Sequence, residues 1–546
     1  MATINLIGDP RGRSKMMAVW KVDHAASLAY VLLLSCSILA PCTAQTQYKV
    51  VSRDQMRLLA AGETESAAQN WQGYLELNPE DLEACFGLAA CYGQLGRIDE
   101  AMQMARRAVE LGLPLERFLA GPRELLEPLT SSQAFATWAE ELDCELLHGP
   151  TLGCLTDRGA SVWVRTWHEL PVIVRVSKTR DMQEPQSFEA RTSGKMDFTG
   201  VIGLDDLEAS TAYYYQLVVD GELLSEIHDF RTLPQQGQPA RFSVIFGGGA
   251  GYTPWFEHMW TVIDSHSPLA YMALGDNVYI DTPKQREVQQ YCYYRRQSRP
   301  EYRKLVASTA VFSIWDDHDF ITNDGSGGPA VDEPSWKRDV WHTFRTNMNN
   351  PSYGGGEEKP GCWFSTSMAD VDFFMMDGRY YRSSEAGSML GAVQKKWLLD
   401  ELVQSKATFK VLCANVPMTP GVKPGSLDTW DGFADEREEI FDWIRSERIE
   451  GVFIIAADRH RSDAWKIERP GTYPLYEFQS SKLTNIHTHA IIDGCLFGYN
   501  KTCSFGMLRF DTAAEDPSVT YDVFTIENEL VESITIRASE LAFEEG

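Results

Sequence analysis

The sequence predicts a layered α/β fold that is preceded by an antiparallel β segment and, before that, by an α-helical segment. Three observations support this order. Apolar and small residues recur at helical spacing over residues 47–145, polar and apolar residues alternate over residues 148–235, and apolar runs end abruptly in polar or glycine-rich residues over residues 240–546. A chain of 546 residues is too long for one ordinary core, so we expect about two or three domains.

The composition is that of a globular protein with a strongly acidic surface. Hydrophobic residues make up 44% of the chain, and the formal net charge is −27. A nucleic-acid backbone would be repelled unless a basic patch or a metal ion intervened, so we expect no nucleic-acid scaffold role. The surplus of carboxylates fits cation binding, although acidic surfaces are also common for solubility alone.

The first residues read as a targeting segment. Basic residues precede the apolar stretch Ala25 to Ala40, and the small residues that follow allow cleavage after Ala44. The apolar stretch is short for a membrane span. We therefore expect residues 1–44 to be a signal peptide or membrane-targeting segment, and the mature chain to be secreted, periplasmic or at the cell surface without a transmembrane span. Lipidation at Cys42 is the weaker alternative, because Pro41 fits a lipoprotein cleavage site poorly.

The helical segment, residues 47–145, resembles a tetratricopeptide repeat. Its clearest part is Ala84 to Leu113, where a turn at Gly93 and Gly96 separates two helical patterns. Asn70 to Pro79 reads as the second helix of a preceding partial repeat. So few repeats rarely form a binding groove by themselves. The segment is expected to dock or cap the rest of the chain, with a protein partner as the alternative.

Residues 148–235 alternate apolar and polar side chains, as strands with one buried face do. Asp220-Gly221 is a strong signal for a tight hairpin turn between two such strands. This pattern resembles a fibronectin type III-like β-sandwich. A polar linker around residues 234–240 separates it from the α/β segment.

The predicted strands of the α/β segment end in residues that carry chemistry, because layered α/β folds place their sites at strand ends. These polar residues are Asp276, Tyr279, Asp316, Asp317, His318, Asp319, Arg379, Asn415, Asp458 and His460. Oxygen and imidazole ligands suit Ca, Mg, Mn or Fe(III) better than a cysteine-rich zinc site would. Two such ions can hold a phosphate and activate a water molecule for in-line attack.

Each of these residues alone also has an ordinary structural explanation. An aspartate at a strand end often forms a turn or caps a helix. Asp458-Arg459-His460 by itself is explained equally well by a salt bridge. Arg379 by itself is more often an ion-pair partner than a phosphate ligand. Three carboxylates and an imidazole within Asp316–Asp319 are harder to explain, because like charges repel unless a cation lies among them.

The motifs in their order resemble the alkaline phosphatase D (PhoD-like) branch of the calcineurin-like metallophosphoesterases. They are Gly275–Tyr279, Trp315–Asp319, Met376–Arg382 and Asp458–His460. The resemblance covers roughly residues 149–506 and leaves the helical segment outside it. It implies a metallophosphoesterase domain over residues 240–546.

The resemblance also implies roles for individual residues. The expected metal ligands, with Asp276 as the bridge and Tyr279 as a phenolate, are Asp276, Tyr279, Asp317, Asn415, Asp458 and His460. His318 would contact the phosphate and protonate the leaving oxygen. Arg379 would contact the phosphate or pair with Asp377. Three further residues would either bind the metal ions or support the residues that do: Asp316, Asp319 and Asn323. The implied ions are Fe(III) and Ca(II).

One position departs from the family pattern. The family usually has a cysteine after the first strand, where this chain has Gly249 at the end of Phe246-Gly247-Gly248-Gly249. Either water or phosphate takes the place of the thiolate, or the first metal differs, or the site is weakened. Gly248 and Gly249 would otherwise offer backbone amides to a phosphate. The alternative is a tight strand-to-helix turn.

The function predicted from these observations is that of a secreted, metal-dependent phosphoesterase, which hydrolyses phosphate esters with water that a metal ion activates. Two alternatives stay open. One is a phosphodiesterase that acts on lipid or nucleotide diesters. The other is a catalytically degenerate binding protein whose helical repeat recruits a partner, and the glycine at position 249 favours it.

Overall fold

The computed structural model describes residues 50–140 and 146–544. The predicted targeting segment over residues 1–44, with its cleavage site at Ala44 and the alternative at Cys42, lies outside the described residues. Within the described ranges, no helix combines the length and the apolar character needed to cross a membrane.

Helices α1 to α7 form the N-terminal segment, as the helical spacing predicts. Asp81 begins α3, where its carboxylate accepts a hydrogen bond from the amide of Ala84 at 2.7 Å. Gly87 lets the Trp71 ring pack directly on the α3 backbone, because a Cβ there would lie 2.3 Å from the ring. The helices are α1 (residues 50–60), α2 (Thr64–Leu77), α3 (Leu82–Gln94), α4 (Ile98–Glu110), α5 (Glu116–Ala120), α6 (Arg123–Thr130) and α7 (Gln133–Glu140).

The following β segment forms two antiparallel sheets, in the orders β1-β2-β5 and β4-β3-β6-β7, with β8 paired to β6. The predicted hairpin is present: Asp220 and Gly221 both have positive φ, and Val219 pairs with Glu222 across the turn. The strands are β1 (Leu146–Gly153), β2 (Ala160–Thr166), β3 (Pro171–Ser177), β4 (Gln186–Arg191), β5 (Thr199–Leu204), β6 (Ala212–Val219), β7 (Glu222–Leu223) and β8 (His228–Arg231).

The α/β segment contains two larger sheets, each of which combines parallel and antiparallel strand pairs. The six-stranded sheet has the order β11-β10-β9-β19-β20-β21, and the seven-stranded sheet has the order β12-β13-β14-β15-β17-β16-β18. The strands of the first are β9 (Arg241–Gly247), β10 (Ala270–Leu274), β11 (Ala310–Ile314), β19 (Ser504–Asp511), β20 (Ser518–Thr525) and β21 (Leu530–Arg537). Those of the second are β12 (Phe364–Met368), β13 (Val371–Met375), β14 (Phe409–Ala414), β15 (Val452–Ala456), β16 (Ser462–Ile467), β17 (Leu475–Ser480) and β18 (Phe497–Tyr499).

Aromatic side chains join the two sheets face to face. Tyr521 of β20 stacks on Phe478 of β17 with ring centroids 4.6 Å apart, and Phe510 of β19 contacts Phe373 and Phe453 of the other sheet. Contacts of this kind fix how the two sheets face each other. The helices that connect the strands are α8 (Met259–Ser265), α9 (Arg286–Gln297), α10 (Pro300–Ser308), α11 (Asp317–Phe320), α12 (Trp336–Asn347), α13 (Gly391–Gln404) and α14 (Ala434–Ser446).

Buried arginines join the helical and β segments to the α/β segment. Arg117 of α5 is fully buried and donates to the carbonyl oxygen of Tyr291 in α9, whose hydroxyl donates to Glu83 at 2.7 Å. Arg165 of β2 is also fully buried and donates to Gln297 and Asn347. Ionic and hydrogen-bonded contacts without access to water hold each segment in one orientation.

A prediction concerns Glu477 of β17, which is fully buried and accepts hydrogen bonds from the amides of Met418 and Thr419 at 2.8 Å each. Burial raises the pKa of Glu477 from 4.5 to about 7. The folded state therefore binds more protons than the unfolded state between these values, so this residue makes the protein less stable as pH rises through that window. Glu477→Gln should become progressively more stable than the unsubstituted protein over the same window in thermal unfolding.

The matched control is Glu529→Gln, because Glu529 is exposed. The difference in stability between Glu529→Gln and the unsubstituted protein should not change with pH. A Glu477→Gln difference that stays constant across the window would contradict the assignment of a raised pKa.

Candidate functional site

The predicted polar residues follow the carboxyl ends of parallel strands in both sheets. Asp276 follows β10, Asp316 to Asp319 follow β11, Asn415 follows β14 and Asp458 follows β15. Strands β10 and β11 are parallel neighbours, as are β14 and β15. Because these ends lie at the same edge, residues far apart in the sequence meet there.

Asp276, Asp317 and His318 form the centre of the site. Each contributes one ligand atom to a group in which all atoms lie within 4.8 Å of one another. Asp276 is only 2% exposed, and among the described residues its Oδ1 has no hydrogen-bond partner. A buried carboxylate oxygen without a donor is costly, and a cation is the ligand that would satisfy it.

The charges at this centre also favour a cation. Burial raises the pKa of Asp276 well above its usual range, and the neighbouring Asp317, Asp319 and Asp458 raise it further. Burial likewise raises the pKa of Asp458 to about 6. A positive ion among these carboxylates would reverse the effect. The donor set of carboxylate, amide, phenol and imidazole groups fits the predicted class of ion.

Tyr279 and His460 are linked through Asn485, and Tyr279 also contacts Asp276. The Tyr279 hydroxyl donates to Asp276 Oδ2 at 2.9 Å and accepts from Asn485 Nδ2 at 2.6 Å. Asn485 Nδ2 also lies 3.5 Å from His460 Nδ1. Burial and the adjacent Asp276 raise the pKa of Tyr279. A phenolate at Tyr279 therefore needs a cation beside it.

His318 is held from two sides. Its Nδ1 pairs with the carboxylate of Asp281, and its ring stacks on Tyr279 with centroids 4.5 Å apart. Burial lowers the pKa of His318, but Asp276, Asp281 and Asp317 together outweigh burial and raise it to about 10. His318 is therefore an imidazolium that can donate a proton through its other ring nitrogen, Nε2.

Arg379 is fully buried, and its guanidinium is surrounded by carboxylates. It pairs with Asp316, lies 2.9 Å from Asp428 and lies 3.6 Å from Asp317. Its side chain does not pair with Asp377, which instead accepts the Arg379 amide at 2.9 Å. The ion pair between Arg379 and Asp377, which was one sequence-based alternative, is therefore not formed. The geometry makes Arg379 a countercharge for the carboxylates.

Asp316 and Asp319 support the site. Asp316 caps α11 and accepts a hydrogen bond from Asn415 Nδ2 at 2.5 Å, which brings the predicted ligand Asn415 to the same cluster. Asp319 accepts the amides of Asn277 and Val278 at 3.0 Å each. Its carboxylate therefore ties the loop after β10 to α11. Of the two roles that the sequence left open, Asp319 takes the supporting one.

Asn323, the predicted neighbour of this motif, is exposed. The next residue is the one that reaches the cluster: the Asp324 amide donates to Asp317 Oδ2 at 2.5 Å, and its carboxylate groups with Asp317 and Asp428. Lys423 lies 2.8 Å from Asp428 and 3.4 Å from Asp324. The prediction for Asn323 therefore missed the contacting residue by one position.

The glycine run forms a tight turn. The Gly248 amide donates to the Ser480 carbonyl oxygen at 3.0 Å, so it is not directed at a phosphate as one sequence-based alternative proposed. Gly249 has φ +68°, and a Cβ there would lie 2.5 Å from the carbonyl oxygen of Ser481 and 3.2 Å from His460 Nδ1. A cysteine therefore does not fit at position 249 unless the backbone shifts.

Sequence reasoning missed several residues of the site. Asn485, His487 and His489 follow strand β17, and the rings of both histidines lie within 5.5 Å of His460, centroid to centroid. They obey the same rule of polar residues after an apolar strand, so the stretch LTNIHTH could have revealed them. Asp281 was visible as an acidic residue in the GDNVYID stretch, but Asp428 follows no predicted strand.

Two solved structures share the fold of this chain. The structure of PhoD superposes with a TM-score of 0.62 at 16% identity, over 72% of this chain and 90% of that chain. The purple acid phosphatase PPD1 from yellow lupin (Lupinus luteus) seeds gives a TM-score of 0.55 at 12% identity, over 72% of this chain and 75% of that chain. The described residues therefore have the fold of these two proteins.

Sequence comparison finds a match to one phosphatase family over part of the chain. Residues 245–502 match the family model for PhoD-like phosphatase. Alkaline phosphatase D of Bacillus subtilis (strain 168) is 24% identical over 309 residues, which is 47% of this chain and 52% of the relative. The aligned part thus spans about half of that relative's own length.

The two preceding segments match other models. Residues 58–112 match a tetratricopeptide repeat, which confirms the sequence-based prediction for the helical segment. Residues 143–237 match a domain of unknown function (DUF7800). The fibronectin III-like assignment of this β segment is therefore not confirmed, although its strands are antiparallel as expected.

The first prediction from this geometry is that Asp276→Asn weakens metal binding at least about tenfold, because it removes a charged ligand from the centre of the site. Binding is measured by elemental analysis and by titration with iron, calcium, manganese or zinc. Asp370→Asn is the control, because Asp370 is buried but its carboxylate accepts from Thr408 and Thr512 away from the site. Equal metal contents in the two variants would contradict the proposed centre.

A second prediction concerns Gly249→Ala. It should lower the free energy of unfolding by about 1–3 kcal/mol more than Gly62→Ala does, because its Cβ meets a backbone oxygen. Gly62 also has positive φ, but no atom lies within 4 Å of the position that a Cβ would take there, so the pair isolates the close contact. Chemical denaturation measures the difference. Gly249→Cys should suffer the same loss, and a stable variant with increased iron affinity would show that the turn accommodates a thiolate.

Proposed function

We propose that this protein is a secreted, metal-dependent phosphoesterase that hydrolyses phosphate esters. The observation that carries the proposal is the buried group of Asp276, Asp317 and His318, in which one carboxylate oxygen lacks a donor among the described residues. The PhoD-like domain supports phosphoester hydrolysis as the reaction. Secretion rests on the sequence of residues 1–44 alone.

The residues fit two neighbouring ions. Asp276, Tyr279, Asp317, Asn415, Asp458 and His460 would hold them, with Asp276 as the bridge that the family resemblance implies. When bound, such ions neutralise phosphoryl oxygens and lower the pKa of a water molecule. Fe(III) and Ca(II) are the ions that the family resemblance implies.

The chain's own groups supply orientation and a proton. The His318 imidazolium, fixed by Asp281 at Nδ1, would donate from Nε2 to the leaving oxygen of the ester. Arg379 would hold Asp316, Asp317 and Asp428 in place. Asp276, Asp317 and Arg379 are buried, which strengthens each of these electrostatic interactions.

The docking of the helical segment on the α/β segment argues against the alternative that the protein only binds a partner. Its buried contacts through Arg117 and Glu83 lead into the phosphatase domain. A catalytically degenerate binding protein would not need the buried residues Asp276, Asp317 and His460 that the chain retains. The fibronectin III-like assignment of the β segment stays a prediction, as does recruitment of a protein partner by the repeat.

The test is hydrolysis of nitrophenyl phosphate and of bis-nitrophenyl phosphate, with and without chelator, by the purified chain. His318→Ala should lower kcat by about 10²- to 10⁴-fold, because the leaving oxygen loses its proton donor. His168→Ala, a change at an exposed histidine of the β segment, should leave the rate unchanged. A preference for the diester would favour the phosphodiesterase alternative. Absence of metal and of turnover after adding each ion would favour the degenerate binding protein.

A further inference from the structure

Helix α1 of the tetratricopeptide-like segment contacts the loop that carries the candidate ligands. Arg53 Nη1 donates to the carbonyl oxygen of Tyr279 at 3.2 Å and pairs with the carboxylate of Asp281. Arg57 Nη2 donates to the carbonyl oxygens of Ile280 and Asp281 at 3.1 and 2.8 Å. Two arginines from one helical turn thus bind three consecutive residues that lie more than 200 positions away in the sequence.

The loop is backbone-strained and is held from both sides. Tyr279 and Asp281 have φ of 57° and 53°, a region that residues other than glycine rarely occupy. On the side opposite α1, the carbonyl oxygen of His318 accepts the amides of Ile280 and Asp281 at 2.8 and 3.1 Å. Strained conformations of this kind persist only where the surroundings fix them. Helix α1 supplies part of those surroundings.

The Asp281 carboxylate has a different partner on each oxygen. Oδ1 pairs with His318 Nδ1, and Oδ2 pairs with the guanidinium of Arg53. The side chains of Arg53 and Asp281 are only 10% and 14% exposed, so water competes weakly for either of them. Arg53 therefore fixes the orientation of the carboxylate that in turn fixes the imidazole ring.

We propose that Arg53 is a positioning residue for His318, and that the tetratricopeptide-like segment is an integral part of the active site because it supplies this residue. The proposal rests on the phosphoesterase function proposed above. Arg57 assists by holding the loop backbone, whereas Arg53 also pairs with the Asp281 carboxylate. A purely structural role for α1 would instead make Arg53 replaceable without a change in turnover, provided the fold is retained.

The variants are Arg53→Met, which keeps the apolar stem without the charge, and Arg53→Lys, which keeps the charge without the planar fork. Arg97→Met is the control. Arg97 lies on the same segment but forms an exposed ion pair with Glu100, and both residues are remote in sequence from the loop. Arg53→Met should lower kcat by about 10- to 100-fold with KM changed less than about threefold, because a misaligned proton donor affects the transition state. Arg53→Lys should recover part of the rate, and Arg97→Met should match the unsubstituted chain.

A second measurement does not depend on activity. Hydrogen exchange of peptides over residues 277–285, followed by mass spectrometry, reports the amides of Ile280 and Asp281. Arg53→Met should raise their exchange rate about tenfold or more, with metal content and thermal midpoint unchanged, whereas Arg97→Met should not. If Arg53→Met lowers the thermal midpoint, the same comparison is made with Arg53→Lys.

The outcomes separate the two proposals. No turnover in the unsubstituted chain with any added ion would refute the phosphoesterase function, and the exchange data would still decide whether Arg53 holds the loop. Turnover in the unsubstituted chain together with unchanged kcat and exchange in Arg53→Met would overturn the positioning role. A change in KM alone would also overturn it, because positioning of a proton donor acts on kcat.

Discussion

The structure depends on the convergence of buried carboxylates at the ends of parallel strands. Their mutual repulsion and desolvation must be offset by positive charge. On one side Arg379 and Lys423 supply it, and their pairing with Asp428 lowers the pKa of that carboxyl despite its burial. On the other side Asp276 and Asp458 have raised pKa values and receive partial compensation from His318 and Arg459. This imbalance defines where a metal ion would bind.

The backbone at this edge is shaped for ligand placement. Asp276, Asp458 and His460 all have positive φ, and Gly249 occupies a turn too close to Ser481 for any side chain. Such conformations are unfavourable for residues other than glycine and are sustained by the surrounding sheets. The aromatic contacts between the sheets therefore contribute to function indirectly, because they fix the strand ends from which these residues project.

Buried arginines give the three segments a common architecture. Arg117 and Arg165 fix the helical and β segments against α9 and α12, and Arg53 extends the helical segment to the loop at Asp281. A buried guanidinium tolerates few geometries, since each unpaired donor is costly. The repeat-like helices are thus docked on the α/β segment, which agrees with the expectation that so few repeats do not form an independent groove.

The sequence by itself determined the order of segments, the α/β class and most of the residues that meet at the candidate site. Periodicity, the Asp220-Gly221 turn and the strand-end motifs at Asp276, Asp317, His318, Asp458 and His460 are local signals. Only the tertiary structure revealed Asp428, the turn that excludes a side chain at Gly249, the contact of Arg53 with Asp281, and the pairing of Arg379 with Asp316 and Asp428. These features either join residues that are distant in sequence or depend on backbone torsion angles. A local pattern of residue types does not encode pairing across hundreds of residues, and it does not encode the space around a Cβ.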